Sequence, residues 1–188
     1  MRYTVFCGSS SGSKALFKAE AYRLGQTMAN HKIGLVYGGA RVGLMGAVAD
    51  GALEHGGEVI GVLPTFLKKV ELEHTRLTDL IIVETMHERK AKMDELSDGI
   101  IAMPGGYGTL EEFFEMLTWA QLGLHKKPVA LLNIDDFYTP LLQMADSMVA
   151  NGFLKQENRD MIVVANNIDD LLVLMKSYVA PTTVKWIK

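Results

Sequence analysis

Residues 99–121 read GIIAMPGGYGTLEEFFEMLTWAQ, and this stretch decides the fold. It opens with a short apolar run over 99–103, which predicts a buried strand. A proline and three glycines follow, and beyond Thr109 the apolar residues recur at helical spacing. A buried strand, a glycine-rich turn and an amphipathic helix together form the repeating unit of a parallel α/β sheet.

The same unit recurs on both sides of this stretch. Further strands are predicted at 3–7, 33–37, 59–63, 80–83, 128–132 and 161–164, and further helices at 14–31, 44–55, 85–97, 137–151 and 169–178. The strands are nearly continuous Val, Ile and Leu runs, so both faces of the sheet should be covered. We therefore expect one doubly wound, Rossmann-like α/β domain over residues 1–180, with 181–188 as a C-terminal tail and 65–79 irregular.

Size and composition exclude several functional classes. The chain has 188 residues, about the length of one domain. A net charge of −3 offers no basic field for nucleic acid. The single cysteine, Cys7, and scattered histidines argue against a disulfide or a zinc site. No apolar run approaches a membrane span, and the N-terminal one is too short for a signal peptide. We expect a cytoplasmic protein with no nucleic-acid or membrane partner and no metal.

Three glycine-rich loops, at 8–12, 38–46 and 105–108, follow predicted strands. None contains GxxxxGK[ST], which disfavours a P-loop NTPase, and the first two lack GxGxxG order. The third precedes a helix whose N-terminus attracts anions, and Thr109 could cap that helix or donate its hydroxyl. The loop therefore predicts a cradle for a monophosphate, although tight turn geometry alone also explains each glycine.

The helix after the third loop is predicted to bury one apolar face. That face consists of Leu110, Phe113, Phe114, Leu117 and Leu124. Glu112 points nearly opposite to it, so Glu112 can be interpreted as a solvated carboxylate near a helix N-terminus, where the helix dipole stabilises acids. Met116 and Trp119 lie off the apolar face as well.

The helix predicted at 85–97 begins with a capping box formed by Thr85 and Glu88. Its core stripe is Met86, Arg89, Lys90, Met93 and Ser97. Two cations therefore occupy positions where a core helix is normally apolar. Either they reach a solvated rim, or they face a cleft that holds anions. His87 and Cys7 have no partner motif for nucleophilic catalysis, so we interpret both as packing or rim residues.

Four motifs together closely resemble one family. They are PGGYGTLEE at 104–112, MHERK at 86–90, GLMG at 43–46 and TWAQLG at 118–123. The resemblance covers roughly residues 3–178 and is to the LONELY GUY (LOG) family of cytokinin riboside 5′-monophosphate phosphoribohydrolases, often mislabelled as lysine decarboxylases. Ala40 is a departure, since many relatives carry a third glycine there.

The resemblance implies the site residues and the assembly. It makes Arg89 and Glu112 the catalytic pair. The substrate contacts that it implies are Glu71, Arg89, Lys90, Gly105, Gly106, Tyr107, Gly108, Thr109, Leu110, Glu111 and Thr118. Members are homodimers with the active site near the subunit interface, and they use no metal or organic cofactor. We expect Met116 and Trp119 to lie in that interface.

The implied reaction is hydrolysis of the N-glycosidic bond of an N6-modified adenosine 5′-monophosphate, which yields a free base and ribose 5-phosphate. Two alternatives stay open. One is a general purine or pyrimidine nucleoside 5′-monophosphate nucleosidase that acts on AMP in salvage. The other is a nucleotide or cofactor carrier without turnover, since related folds carry molybdenum cofactor. A pyridoxal-phosphate decarboxylase is disfavoured, because no lysine can be argued to form its Schiff base.

Overall fold

The structure, a computed structural model, describes residues 1–67 and 73–181. Its strands are β1 (Arg2–Phe6), β2 (Gly34–Tyr37), β3 (Val59–Pro64), β4 (Asp79–Val83), β5 (Gly99–Ala102), β6 (Val129–Leu132) and β7 (Ile162–Ala165). Its helices are α1 (Ala15–Asn30), α2 (Gly43–Glu54), α3 (Met86–Leu96), α4 (Tyr107–Gln121), α5 (Thr139–Ala150), α6 (Gln156–Arg159) and α7 (Ile168–Ser177). Glu71 and, apart from Pro181, the predicted tail lie outside the described residues.

The predicted strands and helices are confirmed, with boundaries that differ by one or two residues. The short helix α6 and a 3-10 turn over Ile134–Asp136 were not predicted. Both are too short to carry the apolar periodicity on which the prediction depends.

All seven strands are parallel and form one sheet in the order β4-β3-β2-β1-β5-β6-β7. The chain adds β2, β3 and β4 on one side of β1 and then returns to add β5 on the other side. This reversal between β1 and β5 is the topological switch point of a doubly wound sheet, which confirms the predicted fold class. Ligands in such folds bind beyond the carboxyl ends of the two strands at the switch.

Two hydrophobic cores cover the two faces of the sheet, as the near-continuous apolar strands predicted. On one face, Val5 and its neighbours pack against α1, α2 and α7. On the other face, Phe6 and its neighbours pack against α3, α4 and α5. Successive side chains of β1 thus enter opposite cores, as the two-residue period of a strand requires.

The start of α3 forms as its sequence predicts. The Thr85 hydroxyl accepts a hydrogen bond from the Glu88 amide at 3.1 Å, and the Glu88 carboxylate accepts one from the Glu84 amide at 2.8 Å. The buried face of α3 contains Arg89, Lys90 and Met93. The interpretation that the two cations reach a solvated rim is therefore wrong, because both are almost fully enclosed.

The buried face of α4 differs from the predicted one. It consists of Thr109, Glu112, Phe113 and Met116, whereas Phe114 and Leu124 are exposed. The two faces share Phe113 and are neighbouring stripes on one helix, so apolar spacing alone selects the wrong one. The reason is that Glu112 turns inward beside a buried arginine of α3, and this rotates the core-facing stripe.

Candidate active site

A cleft of about 460 Å³ opens beyond the carboxyl ends of β1 and β5, at the switch point of the sheet. Such a volume lies within the usual range for small-molecule sites. Its lining residues are Cys7, Gly8, Ser9, Met45, Phe66, Leu67, Met86, Arg89, Gly106, Tyr107, Gly108, Thr109, Glu111 and Glu112. The cleft therefore joins the first and third glycine-rich loops to one face of α3.

The glycine loop before α4 is held against the loop after β1. The Gly8 amide donates a hydrogen bond to the Pro104 carbonyl at 3.1 Å. A β-carbon at Gly105 would lie 2.1 Å from the Thr109 hydroxyl oxygen and 3.0 Å from the Gly8 amide nitrogen, so glycine here leaves room both for Thr109 and for the loop after β1. The N-cap of α4 is Gly106, and Thr109 lies in the first helical turn and does not cap the helix. Amides of this turn lack intrahelical acceptors and meet an exposed surface, which suits an anion.

Arg89 is fixed by a backbone carbonyl of β3 and by one immediately after β2. Its Nε donates to the Val62 carbonyl at 3.1 Å, and Nη2 donates to the Gly38 carbonyl at 3.3 Å. The third nitrogen, Nη1, lies 3.8 Å from Oε1 of Glu112. Arg89 is only 5% exposed and lines the cleft, with Nε and Nη2 bound to carbonyls and Nη1 3.8 Å from Sδ of Met86. It is thus a preorganised cation, because its orientation does not depend on a ligand.

Glu112 is also enclosed, at 8% exposure, and its carboxylate lines the cleft. At 3.8 Å its Oε1 forms an ion pair with Nη1 of Arg89 and not a bidentate hydrogen-bonded contact. Burial raises the pKa of the Cys7 thiol, and the negative charge of Glu112 raises it further. Cys7 is therefore a neutral thiol at physiological pH, which agrees with its interpretation as a packing residue.

Lys90 faces α4 and takes part in two ion pairs. Its ammonium pairs with Glu111, and it lies 2.7 Å from Oε2 of Glu115. Burial alone would lower the pKa of Lys90, but its bonds to these two carboxylates outweigh that effect and raise it. Lys90 is not among the described residues that line the cleft, so its assignment as a substrate contact remains a prediction.

Of the other predicted contacts, the structure brings Gly106, Tyr107, Gly108, Thr109 and Glu111 to the cleft. Tyr107 is 93% exposed at its mouth. Gly105 does not line this cleft but lines a second pocket, together with Gly8 and Ser9, and Leu110 packs against the hydrophobic core.

Thr118 is not at the cleft. It lines a separate apolar groove of about 180 Å³ between α4 and α5, together with Phe114, Leu117, Met144 and Met148. The expectation that Met116 lies in a subunit interface is wrong, because Met116 is fully buried in the core. Trp119 is half-buried and packs against the same core.

The residues of the apolar wall of the cleft were not predicted from the sequence as site residues. Met45, Phe66, Leu67 and Met86 form this wall, and Sδ of Met86 lies 3.8 Å from Nη1 of Arg89. Phe66 and Leu67 come directly after β3, so the rule that ligands bind beyond strand ends could have found them.

Across residues 1–67 and 73–181, no group of three or more His, Cys, Asp or Glu side chains could hold a metal ion. Over the same ranges, no helix is long and apolar enough to cross a membrane.

Comparisons with known proteins identify the family of this chain. A family model described as "Possible lysine decarboxylase" matches residues 45–175. The chain is 48% identical to a probable cytokinin riboside 5′-monophosphate phosphoribohydrolase of Oryza sativa subsp. japonica, over 97% of this chain and 84% of that protein. It is 46% identical to a cytokinin riboside 5′-monophosphate phosphoribohydrolase of Rhodococcoides fascians, over 93% of this chain and 88% of that protein.

Solved structures share the fold. A molybdenum cofactor binding protein from Rippkaea orientalis superposes with a TM-score of 0.72 at 24% identity, covering 94% of this chain and 95% of that one. The molybdenum cofactor carrier protein of Chlamydomonas reinhardtii gives 0.71 at 22% identity, with 93% and 95% covered. At these identities the likeness concerns the fold alone. The family model and the extent of identity to curated relatives show that the chain belongs to the LONELY GUY (LOG) family.

Proposed function

We propose that this protein hydrolyses the N-glycosidic bond of an N6-modified adenosine 5′-monophosphate, releasing the free base and ribose 5-phosphate. The observation that carries the proposal is the enclosed pair of Arg89 and Glu112 in the same cleft as the glycine loop at the start of α4. Relatives at 46–48% identity bear the name of this activity.

The 5′-phosphate binds at the N-terminus of α4 in this proposal. Backbone amides of Tyr107 and Gly108 and the helix dipole favour a dianion there, and the Thr109 hydroxyl is close by. Glu112 lies five residues beyond Tyr107, roughly 7 Å further along the helix axis at 1.5 Å per residue. A nucleotide anchored by its phosphate therefore extends its ribose toward Glu112.

Glu112 acts on the reacting carbon. As the bond between C1′ and the base nitrogen breaks, the base takes the electron pair and picks up a proton, and positive charge grows on the ribose. The Glu112 carboxylate stabilises this charge and accepts a proton from the water that adds to C1′. Arg89 holds the Glu112 carboxylate in place and orients the nucleotide with Nη1, the nitrogen nearest to Glu112.

A direct assay tests the proposal. The purified protein is incubated separately with AMP and with an N6-prenylated AMP, and the free bases are separated by chromatography. Faster release from the prenylated substrate supports the cytokinin-activating reaction, because the apolar wall of Met45, Phe66, Leu67 and Met86 offers contact to an apolar substituent. Equal or faster release of adenine instead supports a general nucleosidase of salvage, and no release from either substrate refutes hydrolysis.

We include a homodimer in the proposal. Thr118 lies seven residues beyond Glu111, roughly 10 Å along α4, and faces the apolar groove. A second copy seated on this groove would cover the exposed side chains of Phe114 and Met144. Thr118 would then lie next to the partner subunit. In this arrangement Thr118 contributes to a site across the subunit interface, although it does not reach the cleft of its own protomer.

A cytoplasmic place of action completes the proposal. The thiol of Cys7 is free and buried, which fits a reducing compartment.

A further inference from the structure

Gly38 lies immediately after β2 and directly against the guanidinium of Arg89. Its carbonyl accepts the hydrogen bond from Nη2. A β-carbon at this position would lie 2.2 Å from Nη2 and 3.4 Å from Cζ of Arg89, and 2.9 Å from Sδ of Met45. Separations below about 3 Å require something to move. The Arg89 guanidinium therefore occupies the space that a side chain at position 38 would fill.

Backbone conformation does not explain this glycine. Gly39 next to it has a φ of +86°, which disfavours any other residue, but Gly38 is outside the left-handed region. An alanine at position 38 can therefore adopt the native backbone, and only its β-carbon is in conflict with its surroundings.

The atoms that this β-carbon would meet distinguish Gly38 from glycines needed for packing. At Gly25 and Gly46, an added β-carbon would collide with rigid backbone of a neighbouring segment. At Gly38 the nearest atoms are the ends of two flexible side chains, Arg89 and Met45. An alanine there should leave the fold intact and displace the guanidinium.

We infer that Gly38 is a positioning residue of the active site. It fixes the position of the Arg89 guanidinium, because it leaves space for this group and its carbonyl accepts the hydrogen bond from Nη2. The inference rests on the proposed function, because it matters for turnover only if Arg89 serves the reaction. Displacing Nη2 breaks the bond to the Gly38 carbonyl and changes the direction in which Nη1 approaches Glu112. A misplacement of about 1 Å in an active site can cost on the order of 100-fold in rate.

The test compares Gly38→Ala with a matched control on the same strand. In Gly34→Ala the new β-carbon would meet Oε2 of Glu58 at 2.7 Å and Cγ of Arg2 at 2.9 Å, again flexible side chains, but at the opposite end of β2. We expect Gly34→Ala to keep wild-type kcat/KM for AMP. We expect Gly38→Ala to lose roughly 10- to 100-fold in kcat/KM with a melting temperature close to that of the control.

A double variant separates an effect through Arg89 from a general defect. In an Arg89→Ala background, Gly38→Ala should cause no further loss of AMP affinity by calorimetry or of residual turnover, because the group it displaces is gone. Losses that add in full overturn the inference. If Gly38→Ala fails to fold, a folded Gly38→Ala/Arg89→Ala variant supports the collision with Arg89, and an unfolded one overturns it.

The two proposals fail in different ways. Full activity of Arg89→Ala alone would refute the role of Arg89 in the proposed function. An inactive Arg89→Ala protein together with a fully active Gly38→Ala protein would leave the proposed function standing and refute the inference about Gly38.

Discussion

Replacing Glu112 by glutamine removes one negative charge from the cleft and keeps the length of the side chain and its helix. The magnitude follows from the distance to its charged neighbour. Oε1 of Glu112 lies 3.8 Å from Nη1 of Arg89, and two unit charges at this separation interact by about 4 kcal/mol at an effective dielectric constant of 20. Positive charge that grows on a ribose at a comparable distance gains a similar stabilisation in the transition state.

We therefore expect kcat for AMP to fall by ~10²–10⁴-fold in Glu112→Gln, since each tenfold change corresponds to about 1.4 kcal/mol. AMP affinity should change by less than about threefold, because in the proposed binding mode the phosphate lies at the start of α4 and loses no favourable contact. Glutamine keeps the size of the buried side chain and loses only the ion pair with Arg89, so the unfolding free energy should fall by about 1–2 kcal/mol.

The assay pairs steady-state hydrolysis of AMP with calorimetric titration of the same nucleotide. Glu95→Gln on α3 is the control, because it neutralises a carboxylate that is exposed and paired only with a surface lysine. A Glu112→Gln protein that retains more than about a tenth of wild-type kcat would refute the assignment. So would a Glu112→Gln protein whose affinity falls in parallel with its rate, because the carboxylate would then act in binding.

Three further outcomes are expected. Adenosine should be turned over at least about 100-fold less efficiently than AMP in kcat/KM, since it lacks the charged group that the loop 105–108 holds; comparable values would refute the phosphate cradle. Met144→Glu, which places a charge on the exposed apolar groove between α4 and α5, should shift a dimer toward monomer in light scattering, and a wild-type monomer at micromolar concentration would contradict the proposed assembly. Burial lowers the pKa of His125 below its ordinary value of 6.5, so the unfolded chain binds the proton more readily than the native one. The resulting contribution to the free energy of unfolding is complete above pH 6.5 and is lost progressively as the pH falls below that value. In denaturant titrations at pH 7.5 and 5.5, His125→Gln should reduce the difference in unfolding free energy between the two pH values. An unchanged difference would exclude His125 as its source.

The layered architecture and the glycine loop before α4 follow from the amino-acid sequence alone. Strands of nearly continuous apolar residues can be stable only when both faces are covered, so their alternation with helices specifies a parallel, doubly wound sheet. The loop at 104–109 and the capping box at Thr85 depend on local backbone geometry within a few residues. The two cations of α3 likewise stand out in the sequence, because they share one helical stripe with Met86 and Met93.

Only the tertiary structure decided which face of α4 is buried and what holds the charged pair. Apolar spacing favours the stripe that contains Phe114, whereas the buried stripe contains Glu112, which meets Arg89 of α3 inside the fold. The partners that orient Arg89 are carbonyls of Gly38 and Val62, which lie 51 and 27 residues away along the chain. Backbone carbonyls are present at every residue and leave no mark in a sequence, so only the folded sheet shows which two of them hold the arginine.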